Sequence, residues 1–322
     1  MLPEKSKLTI CFAHIAYAMQ QRFEPRRTGI TSFQVWSRDE LVKRLPEADV
    51  LVISGLWRND LLESAPRLAL IQSIGAGTDQ FDRELLAKRG VRLASAKGVN
   101  EKAVSEHAMG LILALTRKLP EARDNQAKRI FRGMIGEIEK REDELAGKTL
   151  LIIGLGRIGG RLAKLAKAFE MRVIGLRRDP KGGANGADEV HGLETLKGLL
   201  PQADIVALTC PLTRETENII DAETLTLMKP SAFLVNAARG RCVDEAALIA
   251  ALEKGKLAAA ALDVFVEEPL PSSSPLWTAK NVFITPHTAG ETQRYEENVI
   301  DVLLDNLDRL WRGEKELRNQ VV

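Results

Sequence analysis

Three side chains in the second half of the chain, Arg239, Glu268 and His287, have the types and order needed to move a proton at a carbonyl that sits beside a carboxylate. A guanidinium can pair bidentately with the carboxylate and polarise the neighbouring C=O. An imidazole can give a developing alkoxide its proton, or take it back in the reverse direction. A carboxylate close to that imidazole favours its proton-donating form. Arg239 lies in NAARG at 236–240, Glu268 in LDVFVEEP at 262–269 and His287 in TPHTAG at 285–290, each at or near the end of an apolar run that reads as a strand. Taken singly, Arg239 reads as a surface ion-pair residue and Glu268 as a turn acid before proline. Their joint occurrence is what points to chemistry.

Side chains so far apart in sequence need a scaffold that gathers them, and the pattern of the chain supplies one. Short apolar runs at 8–12, 50–53, 70–74, 150–153, 173–176, 205–208, 233–235 and 282–285 alternate with helical periods at 100–116, 161–169 and 245–254. That rhythm predicts an α/β protein with parallel sheets. In a doubly wound sheet the carboxyl ends of the strands converge on one crevice. A charged stretch between Lys118 and Lys148 reads as a surface connection. The strongest motif lies mid-chain, so the preceding residues have to form a separate α/β unit, to which a last helix at 291–311 could return.

That motif is LLIIGLGRIGGRLAKLAKAF, which sets Gly154, Gly156 and Gly159 between an apolar strand and an amphipathic helix, as a dinucleotide fingerprint requires. Gly154 permits the tight turn, Gly156 lets the backbone approach a pyrophosphate, and Gly159 allows close packing of helix on strand. The amides near Arg157 and Ile158 would face the anion at the helix amino terminus. An acidic residue about 20 positions on would hold a ribose 2′-hydroxyl. Here the strand runs instead into Arg177 and Arg178, which suit a 2′-phosphate and favour NADP, with NAD possible. Asp179 could still reach a ribose, or serve as a solvated turn acid before Pro180.

Bulk properties exclude several classes. The 322 residues exceed what one core usually supports, so two domains are expected. With 46 basic against 44 acidic side chains there is no basic stripe for a nucleic-acid backbone. The three cysteines, Cys11, Cys210 and Cys242, form no CxxC pair, which argues against a disulfide framework or a thiolate metal site. Without a signal-like stretch or about 18 uninterrupted apolar residues, a cytoplasmic protein away from membranes is expected. His14, His107 and His191 show no ligand spacing, so no metal is expected. His107 reads as a buried interdomain hydrogen bond. Trp57 reads equally as a pocket wall or as packing, and Cys242 has no base paired with it in sequence.

With SIGAGTDQFD at 73–82, VSEHAMGLILAL at 104–115, GKTLLIIGLGRIG at 147–159 and CPLTRETENII at 210–220 added to the patterns above, the chain resembles the D-isomer-specific 2-hydroxyacid dehydrogenase family over nearly its whole length. The resemblance implies two doubly wound parallel-sheet domains. A Rossmann dinucleotide-binding domain at 104–290 would be inserted into a flavodoxin-like substrate domain made of 1–103 and 291–322. It implies hydride transfer between NAD(P)(H) and C2 of a small 2-oxo or D-2-hydroxy acid. Arg239 would orient the substrate, His287 would be the acid in reduction and the base in oxidation, and Glu268 would hydrogen-bond to His287. Amides around Ala76 and Gly77 would receive the substrate carboxylate, and Asp263 would hold the nicotinamide carboxamide. Cys210, Pro211, Ala237 and the turn from His287 to Gly290 would line the cofactor. A homodimer formed through the nucleotide domain is implied as well.

Members of that family acting on 3-phosphoglycerate often carry a basic residue near the loop after the third strand, and extra carboxy-terminal regulatory domains. Ile53 and Ser54 fall where the cation is expected, and the chain stops soon after its last helix. A short acid such as glyoxylate or hydroxypyruvate is therefore expected. The alternatives are an NAD-dependent dehydrogenase of another D-2-hydroxy acid, a nucleotide-sensing protein like the corepressors of this fold, and a related formate or phosphite dehydrogenase.

Overall fold

The computed structural model describes residues 2–322, which divide into two units: one runs through Asn100 and resumes at Thr292–Val322, the other is Glu101–Glu291. The sequence reading put these divisions at 103/104 and 290/291. Both units are parallel α/β sheets.

The first unit has five strands, β1 Thr9–Ala13, β2 Thr31–Val35, β3 Val50–Ile53, β4 Leu70–Ser73 and β5 Arg92–Ala94, in the order β2-β1-β3-β4-β5. Its central strands read as unbroken apolar runs because both faces are covered. Ile10, Phe12, Val50 and Val52 pack on one side with Val299, Ile300 and Leu303 of the helix Tyr295–Trp311. Cys11, Ala13, Leu51 and Ile53 pack on the other with Trp57 and Phe81. The last helix thus covers the first unit's sheet, as the sequence suggested it could.

The second unit has seven parallel strands, β6 Thr149–Ile153, β7 Arg172–Leu176, β8 Glu189–His191, β9 Ile205–Leu208, β10 Phe233–Asn236, β11 Ala259–Leu262 and β12 Val282–Ile284. Their order is β12-β11-β10-β9-β6-β7-β8, so the winding reverses between β6 and β9, where a doubly wound sheet opens its ligand crevice. The register decides what stands there. Leu176, Ile153, Leu208, Asn236, Leu262 and Ile284 pair in one continuous row, so Arg177, Gly154, Thr209, Ala237, Asp263 and Thr285 all leave the sheet at the same level. The helix Glu101–Thr116 seals one face through Ala108, Met109, Leu111 and Ile112, which pack with Leu150, Ile152 and Leu162.

Four strands, β2, β5, β8 and β11, were not anticipated from the apolar runs. Strand β8 has three half-buried residues, and β11 reads AAAL, which carries helix propensity yet is nearly all buried between two neighbours. The stretch from Lys118 to Lys148, expected as a plain connection, contains a nine-residue helix, Leu119–Ala127, with no buried residue. Among the described residues no helix is long and apolar enough to cross a membrane.

Candidate active site

The dinucleotide turn follows β6 directly. Gly154 takes φ +104°, and a Cβ there would stand 2.5 Å from the Cys210 backbone nitrogen, so only glycine lets the β6 turn close against the end of β9. A Cβ on Gly159 would overlap the Gly154 carbonyl oxygen and lie 2.9 Å from Thr209 Oγ1, which itself donates to that carbonyl at 2.9 Å. Gly156 caps the helix Arg157–Ala168 and has no atom within 4 Å of where its Cβ would be. The cradle thus presents open backbone and a helix amino terminus carrying the Arg157 and Ile158 amides, a fit for a pyrophosphate. Cys210 is buried against this turn. The neighbouring Cys242 thiol and burial push its own thiol up, so it is a neutral wall. Pro211 follows it, exposed, with its carbonyl accepting Thr216 Oγ1 at 2.6 Å.

Arg177 and Arg178 leave β7 beside the turn. Arg177 Nη1 donates to the Gly182 carbonyl at 2.8 Å, while Arg178 Nη2 reaches Glu215 Oε2 at 3.1 Å, with both of those side chains exposed. Asp179 Oδ1 accepts the Lys181 amide at 3.0 Å, the turn role weighed for it above.

The arginine loop is shaped by Asn236, which is buried at the end of β10. Its Oδ1 accepts the Ala238 amide and its Nδ2 donates to the Arg239 carbonyl, each at 3.0 Å, with half-buried Ala237 enclosed in the turn. Arg239 emerges exposed; Nη1 donates to the Ala238 carbonyl at 2.7 Å, and no carboxylate pairs with it among the described residues. Gly240 backs onto the Phe265 carbonyl, where a Cβ would overlap it. That contact ties the arginine loop to the segment carrying Glu268.

Glu268 uses both oxygens. Oε1 accepts the Phe265 amide at 2.9 Å, and Oε2 meets His287 Nδ1 at 2.6 Å. The pairing leaves His287 Nε2 as the group to face a reacting atom. The His287 side chain is 48% exposed, so a substrate oxygen can reach it. The structure brings the sequence-derived Glu268 and His287 into direct contact and sets Arg239 on the adjoining loop. Ala76 and Gly77 stand exposed in the first unit, in the loop after β4, and Gly290 closes the TPHTAG segment.

The structure shows what the remaining residues touch. Asp263, implied as the partner of a nicotinamide carboxamide, is 1% exposed, and its oxygens accept the Thr285 hydroxyl and the Thr288 and Ala289 amides. Its work in this structure is to hold the histidine turn. His107, expected as an interdomain contact, bonds within its own unit, Nε2 to Thr285 Oγ1 at 2.9 Å. Against the expectation of no cation after the third strand, the loop after β3 does carry one, Arg58, whose Nη1 donates to the Gly55 and Trp57 carbonyls; it lies beyond the uncharged Ile53 and Ser54 where the cation was sought. Trp57 is packing, fully buried against Phe81. His14 accepts the Ala16 and Tyr17 amides on Nδ1 and stacks on Tyr17, and burial lowers its pKa. Among the described residues no cluster of three or more His, Cys, Asp or Glu could hold a metal ion.

A family model described as the NAD binding domain of D-isomer specific 2-hydroxyacid dehydrogenases matches residues 109–289. The chain is 38% identical over 296 residues to the D-3-phosphoglycerate dehydrogenase of Methanocaldococcus jannaschii, a match covering 89% of this chain and 53% of the relative. It therefore spans about half the length of that protein. It is 36% identical over 305 residues to the glyoxylate/hydroxypyruvate reductase B of Yersinia pestis, covering 92% of each. Among solved structures, a D-isomer specific 2-hydroxyacid dehydrogenase family protein from Aeromonas salmonicida superposes with a TM-score of 0.85 and 31% identity, over 98% of this chain and 99% of that one. More than half of the chain lies inside the family model and the likeness runs along nearly its whole length: the protein belongs to the D-isomer-specific 2-hydroxyacid dehydrogenase family.

Proposed function

We propose that the protein is a 2-oxoacid reductase that interconverts a small 2-oxo acid and its D-2-hydroxy acid with NADP(H), with glyoxylate or hydroxypyruvate as substrate. The observation that carries this is the Glu268–His287 pair at 2.6 Å, set beside the Arg239 loop on the sheet edge that also bears the dinucleotide turn. When bound, the dinucleotide supplies or accepts the hydride. Arg239, unpaired with any carboxylate among the described residues, takes the substrate carboxylate and draws charge onto the C2 oxygen. His287 Nε2 gives that oxygen its proton in reduction and recovers it in oxidation. Glu268, anchored by the Phe265 amide, holds Nδ1 and stabilises the charged ring.

NADP preference rests on Arg177 and Arg178 at the end of β7. The exposed Arg178–Glu215 pair is worth at most about 1 kcal/mol, so a 2′-phosphate can displace it. Replacing both arginines by alanine is expected to raise KM for NADPH by about 10- to 100-fold while changing KM for NADH little, as loss of charge-assisted hydrogen bonds implies. A parent enzyme at least as efficient with NADH contradicts the preference.

A second reading, action on a phosphorylated three-carbon acid, is favoured by Arg58 and by the likeness to a D-3-phosphoglycerate dehydrogenase. A steady-state screen of glyoxylate, hydroxypyruvate and phosphohydroxypyruvate with both cofactors separates them. The first reading expects the unphosphorylated acids to turn over at least about tenfold more efficiently, one charge-assisted contact's worth. A preference for the phosphorylated acid that disappears in Arg58→Ala supports the second. Absence of turnover on every acid favours the nucleotide-sensing alternative. The proposal extends to a cytoplasmic homodimer formed through the nucleotide unit. Exposed Phe131 and Met134 are side chains such an interface would cover, and light scattering tests it.

A further inference from the structure

The unit Glu101–Glu291 holds a polar chain, ending on the buried Asp263, that the proposed chemistry does not use. Asp263 Oδ1 accepts the Thr285 hydroxyl at 2.6 Å and the Thr288 amide at 3.0 Å, and Oδ2 accepts the Ala289 amide at 3.0 Å. Thr285 has one hydroxyl proton, and at that distance from a carboxylate the proton goes to Asp263. Its oxygen is then left to accept, so His107 Nε2, 2.9 Å away, is the donor. The same Nε2 stands 3.4 Å from Asp263 Oδ1. The three side chains come from the helix Glu101–Thr116, from the residue after β11 and from the residue after β12.

What they hold is the turn at 285–289. Within it His287 has φ +54°, a left-handed conformation that a non-glycine residue keeps only when its surroundings hold it there. Asp263 does so twice, since its own carbonyl accepts the His287 amide at 2.8 Å while its carboxylate ties down the two following amides. We propose that His107 and Thr285 are positioning residues: the relay from His107 through Thr285 to Asp263 locks the 285–289 turn and so aims His287 at the reacting carbonyl. The inference rests on the reading of His287 as the proton carrier. It gives His107 of the SEHAM segment a use that neither metal spacing nor an interdomain contact supplied, while the neighbouring Glu106 pairs with Arg161.

The test compares Thr285→Val, which keeps the shape and removes the hydroxyl, with Thr285→Ser, which restores it. For Thr285→Val, kcat is expected to fall about 10- to 100-fold, the usual effect of removing a supporting partner of a reacting group, while KM for the oxo acid moves much less. Amide hydrogen exchange at Thr288 and Ala289 is expected to speed up about tenfold or more as their acceptor loses its lock. Thr285→Ser should return both readouts to near the parent values, and His107→Gln should be milder than His107→Leu because the amide can still donate. Parent-rate exchange at Thr288 and Ala289 in Thr285→Val overturns the positioning role, whatever turnover does. If the parent itself reduces no oxo acid, the functional reading fails, and the exchange measurement still decides whether the relay holds the turn.

Discussion

Replacing His287 by asparagine is expected to lower kcat by about 10²- to 10⁴-fold, the range spanned by general acid-base groups, with the folded state kept. Asparagine is a better probe than alanine for a local reason. The residue at 287 must sit at φ +54°, a region asparagine tolerates and alanine reaches only with strain. Side-chain loss itself should destabilise little, because the imidazole is 48% exposed and its side-chain partner, Glu268, is itself held by the Phe265 amide. A ΔΔG under about 1 kcal/mol would move Tm by only about 2–4 °C in a domain of this size. Glu268→Gln leaves an oxygen for the Phe265 amide and removes the charge beside Nδ1, so a smaller fall in kcat is expected, on the order of tenfold, equivalent to losing about 1.4 kcal/mol of charge stabilisation. Full turnover in His287→Asn, measured with the substrate and cofactor the parent uses best, would remove His287 from the mechanism.

What could be read from the residues, and what could not, follows physical lines. The trio and the glycine turn were legible because side-chain type and spacing carry their chemistry. Strand β11 was not, since AAAL becomes a strand only through pairing with β10 and β12. Asp263 was assigned a ligand through the family resemblance alone. The local sequence cannot show that a turn 22 residues later claims its carboxylate. His107 was placed across domains because amphipathic spacing locates a helix face but not its partner. The helix Glu101–Thr116 instead packs on the sheet of its own unit. Arg58 escaped notice for a different reason: the expected position of a loop cation was judged from strand-end residues, whereas the loop runs five residues past β3 before it appears.

Gly240→Ala tests how the site is assembled rather than which atoms react. Gly240 has no need of a left-handed backbone, so the reason for glycine here is space alone. A Cβ would overlap the Phe265 carbonyl and stand 2.4 Å from... the adjoining Val266 amide, both backbone groups that cannot swing aside as a side-chain end could. Overpacking of this kind costs about 1–3 kcal/mol or more, which should lower Tm by roughly 2–4 °C per kcal/mol. The larger effect is expected on catalysis. Phe265 donates its amide to Glu268 Oε1, so pushing its carbonyl outward loosens the anchor of the carboxylate that holds His287. The same displacement shifts Arg239, one residue before the new methyl group, away from that pair. A misplacement of about 1 Å costs roughly 10²-fold in rate, and here it strikes both halves of the site at once. The expected result is a kcat/KM at least about 10²-fold below the parent, measured well under the variant's Tm so that unfolding does not contribute. A variant with the parent's Tm and turnover would show that the two loops move independently, and the coupling of Arg239 to the Glu268–His287 pair through Gly240 would have to be abandoned.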